Sequence, residues 1–431
     1  MTKILIKGGR AVDPASPLDG KRDILIEEGE IRAIEEEIRC EEPEVRVIEA
    51  EGKIVTPGLI DIHTHLREPG REDEETIATG SAAAAKGGFT TILCMPNTEP
   101  PIDNHSLVKF IIDKSRTEAV GNVLPVGSIS KGLEGESLSE IGQMVKGGAV
   151  AISDDGYPVI NTELMRRALE YTRIFDIPVI SHCEDTNLSK DGVMNEGYVS
   201  TILGMRGIPR AAEEVMVARE IILAELTGTK VHIAHVSTKG SLAMIKEAKR
   251  RGLKVTCEVT PHHLILTDEV VMGFDTNTRV NPPLRGREDV DALREGLAEG
   301  IIDAIATDHA PHALNEKELE YGLAPCGIVG LETALGLLLT EIVNKGVVSF
   351  FDLIAKLTIG PARILNLERG RLKVGSPADV IIIDPREEWV VDPSRFVSKS
   401  KNTPFNGWQL KGKTVVTIIN GRIAVENGEL V

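Results

Sequence analysis

Residues 54–65 read Ile-Val-Thr-Pro-Gly-Leu-Ile-Asp-Ile-His-Thr-His, an apolar and β-branched run that ends in two histidines. The run 54–62 is typical of a buried parallel strand. Because residues two apart on a strand point to the same side, His63 and His65 are predicted to bind one cation together. A His-x-His pair alone is weak evidence, so its weight depends on whether the same arrangement recurs along the chain.

The middle of the chain alternates strand-like runs with amphipathic helical stretches. One such stretch covers 237–251, with Ser237 or Thr238 as its N-cap. Eight such units over roughly 300 residues match the count and size of a (β/α)8 TIM barrel. A doubly wound open sheet is the alternative, but no G-x-G-x-x-G follows the first strand. The predicted strands are 54–62, 89–95, 123–127, 149–152, 178–181, 231–234, 255–259 and 302–306.

Both ends of the chain are rich in short strands and tight turns. Asn420-Gly421 is a strong hairpin signal between two of them. We therefore predict a small composite β-sandwich domain built from both termini, residues 1–54 and 366–431, beside a barrel domain of residues 55–365. The predicted terminal strands are 4–7, 24–26, 31–34, 378–383, 414–419 and 422–425.

The bulk composition limits the partners and the compartment. Of 431 residues 42% are hydrophobic and 3% aromatic, which allows a large aliphatic core, and the net charge is −17. That charge argues against nucleic acid and anionic membrane as partners, because both would be repelled. No run approaches the ~20 apolar residues of a membrane span, and the first residues lack a signal-peptide pattern. Five scattered cysteines without a C-x-x-C pair predict buried thiols in a reducing, cytoplasmic compartment.

Polar residues that can bind metal follow most of the predicted barrel strands. Turn formation explains aspartate and asparagine at strand ends, but it predicts histidine poorly. Four histidines and two carboxylates on one rim indicate a catalytic metal centre, with Zn²⁺ the best fit and Mn²⁺, Co²⁺ or Fe²⁺ as alternatives. Either two metals share these ligands or one metal keeps open positions. The rim residues are His63, His65, Asn97, Asp154, Asp155, His182, His235, Asp308, His309 and His312.

The same region resembles a known family. Residues 56–65 are similar to the signature of the amidohydrolase superfamily. More narrowly, residues 66–70 (LREPG), 95–98 (MPNT), 279–285 (RVNPPLR) and 306–312 (ATDHAPH) resemble the dihydroorotase family of the bacterial single-function type. The resemblance extends over nearly the whole chain, including GSPAD at 375–379 in the terminal β-region.

The resemblance implies reversible hydrolysis of L-dihydroorotate to N-carbamoyl-L-aspartate in pyrimidine biosynthesis, by a metal-bound hydroxide with Asp308 as proton shuttle. It also implies that His63, His65 and Asp308 bind one metal and that His182 and His235 bind the other. Many relatives bridge the two with a carbamylated lysine, which this chain lacks. Spacing to His182 favours Asp155 over Asp154 as the substitute. Aspartate is shorter than that lysine, so one or two Zn²⁺ per subunit are both consistent with the pattern.

The family pattern also assigns substrate contacts. Arg67 is expected to clamp the substrate carboxylate with two charge-assisted hydrogen bonds. The alternative for Arg67 is a surface ion pair with Glu68 or Glu72, in an acidic stretch, 68–75, that is expected to be a solvated helix start. The remaining expected substrate contacts are His65, Asn97, Asn281, His312 and the backbone of Cys326 and Gly327.

Two other functions remain open at this point. A hydantoinase or allantoinase shares the metal site but acts on a different ring. A non-catalytic barrel that assembles with aspartate carbamoyltransferase would lose metal ligands, and none of the set is missing here. The family pattern also allows a homo-oligomer and a complex with that carbamoyltransferase, and the charged loop 312–325 is either a mobile lid or an ordinary surface excursion.

Overall fold

The computed structural model describes residues 3–39 and 44–431, so Cys40 lies outside the described residues. The strands are β1 (Lys3–Asp13), β2 (Leu18–Glu27), β3 (Glu30–Glu35), β4 (Val45–Glu49), β5 (Ile54–Pro57), β6 (Leu59–Thr64), β7 (Phe89–Cys94), β8 (Asn122–Gly127), β9 (Ala151–Ser153), β10 (Val179–Ser181), β11 (Met194–Asn195), β12 (Gly207–Ile208), β13 (Val231–Ile233), β14 (Val255–Val259), β15 (Ala304–Ile305), β16 (Val380–Val390), β17 (Gln409–Ile419), β18 (Arg422–Glu426) and β19 (Glu429–Leu430).

The α-helices lie mostly between the barrel strands. Thr238 caps α8 by accepting a hydrogen bond from the Ser241 N–H, which settles the predicted choice between Ser237 and Thr238. The helices are α1 (Ile77–Gly87), α2 (His105–Glu118), α3 (Ile141–Gly147), α4 (Thr162–Thr172), α5 (Thr186–Ser189), α6 (Tyr198–Leu203), α7 (Ala211–Thr227), α8 (Lys239–Arg250), α9 (Pro261–Ile265), α10 (Arg287–Ala298), α11 (Leu314–Lys317), α12 (Ala334–Leu338), α13 (Phe350–Leu357) and α14 (Ile359–Ile364).

The predicted (β/α)8 barrel is confirmed. The strands β6 to β10 and β13 to β15 pair in parallel and in chain order. A parallel bridge between Thr64 and His309 joins the first strand to the end of the last, and the His65 N–H donates to the His309 carbonyl at 2.8 Å. The carboxyl ends of the strands therefore meet on one rim, where barrel enzymes place their active sites.

The first predicted strand is wrong in one respect, because the run 54–62 is two strands and not one. Residues of β5 pair with β1 and β16 in the terminal sheet, whereas β6 begins the barrel after Gly58. Gly58 is the point of the change because it packs directly against Thr90: a Cβ there would lie 2.2 Å from the Thr90 Oγ1. The other predicted barrel strands agree with the structure to within about two residues.

Both termini form the predicted composite β-sandwich. The strand order is β19-β18-β17-β16-β5-β1-β2-β3, with β4 beside β1, so the N- and C-terminal segments share one sheet. Its apolar core, which includes Ile6, Ile26 and Ile382, is separate from the cluster inside the barrel, where Ile62, Leu93 and other strand residues meet α14. The division into 1–54 with 366–431 and 55–365 stays a proposal, and β5, which pairs in the terminal sheet, crosses its first boundary.

Two further sequence expectations concern the cysteines and membranes. Cys94, Cys183 and Cys257 are buried free thiols, and Cys326 is a half-buried free thiol. Within residues 3–39 and 44–431, no helix combines the length and the apolar character that crossing a bilayer requires.

The close approach at Gly58 makes a stability prediction. We expect Gly58→Ala to lower the free energy of unfolding by about 1–3 kcal/mol, because the added methyl forces Thr90 and the β6–β7 contact apart. Gly273→Ala is the matched control, since a Cβ at Gly273 meets no atom within 4 Å. Thermal unfolding of both variants tests the difference, and equal midpoints would contradict this account of the strand change.

Candidate metal centre and substrate site

The six predicted metal ligands lie together on the carboxyl rim of the barrel. They lie in or just after the carboxyl ends of five different strands, β6, β9, β10, β13 and β15, so the barrel closure brings together residues far apart in the chain. Two of them have left-handed backbone conformations, His235 at φ 30° and Asp308 at φ 49°. Such conformations in non-glycine residues are costly and concentrate at functional sites.

One half of the cluster is formed by His63, His65 and Asp308. The Asp308 Oδ1 lies 3.0 Å from the His65 Nε2 and 3.6 Å from the His63 Nε2. Asp155 approaches the same two nitrogens, with its Oδ1 3.2 Å from His63 and its Oδ2 3.5 Å from His65. The potential ligand atoms of His63, His65 and Asp308 all lie within 4.8 Å of one another.

The other half is formed by His182 and His235, and Asp155 connects it to the first. The Asp155 Oδ1 lies 3.6 Å from the His182 Nδ1 and 3.5 Å from the His235 Nε2. Those two ring nitrogens are themselves 2.9 Å apart. Asp155 therefore contacts all four histidines from one position.

Asp154 does not share this position. Its carboxylate accepts hydrogen bonds from the main-chain N–H groups of Ile129 and Ser130 and from the Ser130 hydroxyl. It therefore holds the loop after β8 and points away from the histidines. His309, also on the predicted rim, turns outward as well, with its Nε2 3.3 Å from the Glu75 Oε2 and its Nδ1 accepting from the Gly330 N–H.

The outer nitrogens of three histidines contact oxygen acceptors. The His63 Nδ1 lies 2.6 Å from the Glu258 Oε1, the His65 Nδ1 2.8 Å from the Asn97 Oδ1, and the His182 Nε2 3.0 Å from the Glu184 Oε2. An acceptor there accepts a hydrogen bond from the outer ring N–H and leaves the inner nitrogen with a free lone pair. Histidines that bind metal commonly have such an acceptor on their outer nitrogen.

Two inner atoms of the cluster fit a cation. The His63 Nε2 and the Asp155 Oδ1 are buried and find no hydrogen-bond partner among the described residues. Buried polar atoms are almost always satisfied, so unsatisfied ones that cluster indicate a missing partner such as an ion. With imidazole nitrogens and carboxylate oxygens and no cysteine among them, the donor set suits Zn²⁺ or a similar divalent cation.

The electrostatics of the cluster agree with that fit. Burial raises the pKa of Asp155, but the imidazoles of His63, His182 and His235 outweigh it and hold the pKa well below its usual range. Burial lowers the pKa of His182, yet Asp155 and Glu184 raise it to about 10. In the absence of a metal Asp155 is thus charged and His182 holds a proton, which a bound cation would replace.

Glu258 was missed by the sequence reasoning. It lies on β14, is fully buried, and its two oxygens contact the His63 Nδ1 at 2.6 Å and the His232 Nε2 at 3.1 Å. His232 also contacts the Thr256 Oγ1 at 2.9 Å, so it supports Glu258 and is not itself a ligand. The sequence signal that could have revealed it is a carboxylate within the strand-like run VTCEV. A buried charge without a partner is costly, so this position indicates that the carboxylate has a polar partner in the core.

Arg67 lies beside the cluster and is largely buried, with a left-handed backbone at φ 60°. Its Nε donates to the Pro311 carbonyl at 3.1 Å and pairs with the Glu74 Oε2 at 3.1 Å, and its Nη2 lies 3.3 Å from the His312 Nε2. Glu68 and Glu72, the expected alternative partners, are engaged elsewhere: Glu68 pairs with Lys114, and Glu72 accepts from the Gly70 N–H. The arginine is therefore part of the site wall.

The other predicted substrate contacts occupy different situations. Asn281 donates from its Nδ2 to the Glu184 Oε2 at 2.8 Å, which ties it to His182. The Cys326 carbonyl lies 2.8 Å from the His312 Nε2. Both main-chain groups of Gly327 are already engaged, because its N–H donates to the Arg279 carbonyl and its carbonyl accepts from Asn402 and Lys317.

Glu258 gives a test of the metal centre. We expect Glu258→Gln to weaken binding of added Zn²⁺ about 10- to 100-fold. The amide has only one accepting oxygen, so it cannot accept hydrogen bonds from both His63 and His232 as the carboxylate does. Competition with a chelator measures the affinity. Glu269→Gln is the control, because Glu269 is an exposed carboxylate in the segment between α9 and α10. Equal affinities for the two variants would contradict the supporting role of Glu258.

Comparisons with known proteins give the family. Residues 52–241 match the family model described as Dihydro-orotase-like, and residues 227–425 match the Amidohydrolase family. The chain is 53% identical to a dihydroorotase of Syntrophus aciditrophicus, over 98% of this chain and 99% of that protein. It is 56% identical to a dihydroorotase of Pelotomaculum thermopropionicum, over 99% of each.

Solved structures show the same architecture. An L-hydantoinase (dihydropyrimidinase) from Arthrobacter aurescens superposes with a TM-score of 0.89 at 27% identity, covering 100% of this chain and 98% of that one. A dihydropyrimidinase from Brevibacillus agri superposes at 0.88 with 24% identity, covering 100% and 96%, which supports the fold alone. With relatives above 50% identity over nearly the full length of both chains, the protein belongs to the dihydroorotase family of the amidohydrolases.

Proposed function

We propose that this chain is a metal-dependent dihydroorotase that interconverts L-dihydroorotate and N-carbamoyl-L-aspartate in pyrimidine biosynthesis. The observation that carries the proposal is the position of Arg67, a largely buried cation beside a cluster of four histidines and two aspartates. Ring opening of a cyclic amide needs an activated water, a polarised carbonyl and a proton for the leaving nitrogen. A guanidinium adds recognition of a substrate carboxylate.

The metal would be held by residues that already converge. His63, His65 and Asp308 would form one position, His182 and His235 the other, with Asp155 between them. A divalent cation at such a site lowers the pKa of water towards ~7 and polarises a carbonyl oxygen. Zn²⁺ is our proposed ion, in one or two copies per subunit.

Asp308 is proposed to move the proton. The imidazoles of His63 and His65 outweigh the effect of burial and hold its pKa below the usual range, so the carboxylate is charged and can accept. In ring opening, Asp308 takes a proton from the attacking water as the new C–O bond forms. It then returns that proton to the ring nitrogen as the C–N bond breaks, and ring closure follows the reverse order.

The substrate contacts follow from the free groups around the cluster. Arg67 would hold the carboxylate through its Nη groups, because its Nε is already engaged by Pro311 and Glu74. Asn97 uses its Oδ1 on His65, which leaves its amide N–H groups for the same carboxylate, and His312 lies next to Arg67. The remaining proposed contacts are His65, Asn281 and the backbone of Cys326 and Gly327. The main-chain groups of Gly327 already have hydrogen-bond partners, so substrate would have to replace one of them.

Hydantoinases use a similar barrel, but simple hydantoins lack the carboxylate that Arg67 is placed to bind. The likeness to the Arthrobacter L-hydantoinase is 27% identity, about half that to the dihydroorotases. A cytoplasmic location, a homo-oligomer and a complex with aspartate carbamoyltransferase remain predictions of the family resemblance.

The metal requirement can be tested directly on the purified protein. We expect elemental analysis to find zinc and expect dihydroorotate hydrolysis to stop after chelation and return on addition of Zn²⁺. Asp308→Asn should retain the fold and lose about 10²–10⁴-fold of the rate with metal restored, because the proton acceptor is gone. Activity that persists without metal would contradict the proposal.

The carboxylate contact can be tested at Arg67. We expect Arg67→Ala to lower kcat/KM for dihydroorotate about 10- to 100-fold or more, because it removes charge-assisted hydrogen bonds. Arg116→Ala is the control, since Arg116 is exposed and pairs only weakly with Asp113. An enzyme indifferent to the loss of Arg67 would favour a hydantoinase-like substrate.

A further inference from the structure

Glu74 is a buried carboxylate that the reaction as described does not use. The sequence predicts a solvated acidic stretch at 68–75, but Glu74 is 1% exposed and lies behind the substrate wall. Its Oε2 lies 3.1 Å from the Arg67 Nε, and its Oε1 lies 2.8 Å from the His312 Nδ1. Arg71 supplies a third contact, with its Nη2 3.2 Å from the Glu74 Oε1.

Arg67, Glu74 and His312 form a closed triangle. Each contacts the other two, because the Arg67 Nη2 also lies 3.3 Å from the His312 Nε2. The two carboxylate oxygens of Glu74 are thus divided between the guanidinium and the imidazole. This division orients the guanidinium and the imidazole ring at the same time. Without it, Arg67 would populate several rotamers and would lose that conformational entropy on binding substrate.

The charge state of Glu74 supports this arrangement. Burial raises its pKa, but the hydrogen bond from His312 and the charge of Arg67 outweigh burial, so the pKa lies below its usual range. A charged carboxylate in a buried position is stable only while its partners stay in place. The segment is also tied to α11, because the Arg71 Nη2 lies 2.6 Å from the Glu316 Oε1.

We propose that Glu74 is a positioning residue that orients Arg67 and His312 for binding of the substrate carboxylate. The proposal rests on the proposed dihydroorotase function, since it assigns Glu74 to the carboxylate side of that substrate. The carboxylate of Glu74 contacts Arg67, Arg71 and His312, none of which is a proposed metal ligand. Its effect is therefore on binding of the carboxylate and not on the chemical step.

The experiment compares Glu74→Gln, Glu74→Asp and Glu72→Gln in the zinc-loaded enzyme. Glu72 is exposed and lies two residues away, so it controls for loss of one negative charge from the segment. We expect Glu74→Gln to raise the KM for dihydroorotate about tenfold, with kcat and zinc content close to wild type, because only the orientation of the carboxylate contacts is lost. Glu74→Asp should recover part of the loss, and Glu72→Gln should match wild type.

Binding of orotate, measured by calorimetry, is a second readout that needs no turnover. Its Kd should rise in parallel with KM in Glu74→Gln. A Kd and KM within about twofold of wild type, or a fall in kcat with loss of zinc, would overturn the positioning role. If Glu74→Gln does not fold, an unchanged KM in Glu74→Asp overturns it equally. A wild-type protein that neither hydrolyses dihydroorotate nor binds orotate would overturn the proposed function as well, so the two failures are distinguishable.

Discussion

The site depends on one buried negative charge surrounded by histidines. Asp155 contacts His63, His65, His182 and His235 within 3.6 Å, and its Oδ1 finds no hydrogen-bond partner among the described residues. A buried carboxylate is retained only when positive charge compensates it, from protons on the imidazoles or from a cation. The barrel supplies the geometry, because strands far apart in the chain end on the same rim.

The same principle recurs one layer further out. Glu258 contacts the outer ring nitrogen of His63, and Glu184 contacts that of His182. Glu74 contacts Arg67 and His312. In each case a carboxylate, buried at Glu258 and Glu74 and half-buried at Glu184, fixes the direction of a side chain that would contact metal or substrate. The proposed metal ligands and the proposed carboxylate contacts are thus oriented in the same way. This arrangement would let a chain of net charge −17 present Arg67 to the proposed anionic substrate.

The sequence predicted the parts of the site that are local in the chain. His63 lies on β6, His65 comes directly after it, and Arg67 follows two residues later, so these three side chains are close because they are neighbours in sequence. The alternation of strands and helices was enough to predict the barrel. The split at Gly58 was not predictable from hydrophobicity, because both halves of the run 54–62 are apolar, and what separates them is a contact with Thr90. Glu258 was missed because its partner His63 lies 195 residues away in the sequence. Glu74 was expected to be solvated because its partner His312 lies 238 residues away, and the nearby Arg67 and Arg71 do not by themselves show that the carboxylate is buried.

We propose that one metal centre is formed by six side chains, those of His63, His65, Asp155, His182, His235 and Asp308. It can be observed in a crystal structure of the zinc-loaded protein, with anomalous data collected on both sides of the zinc edge. We expect one or two zinc peaks bonded to these side chains at about 2.0–2.2 Å, with Asp155 contacting the metal. A peak at Glu74, His312 and Glu316 alone, the other described group whose ligand atoms lie within 4.8 Å, or no peak at the rim, would contradict it.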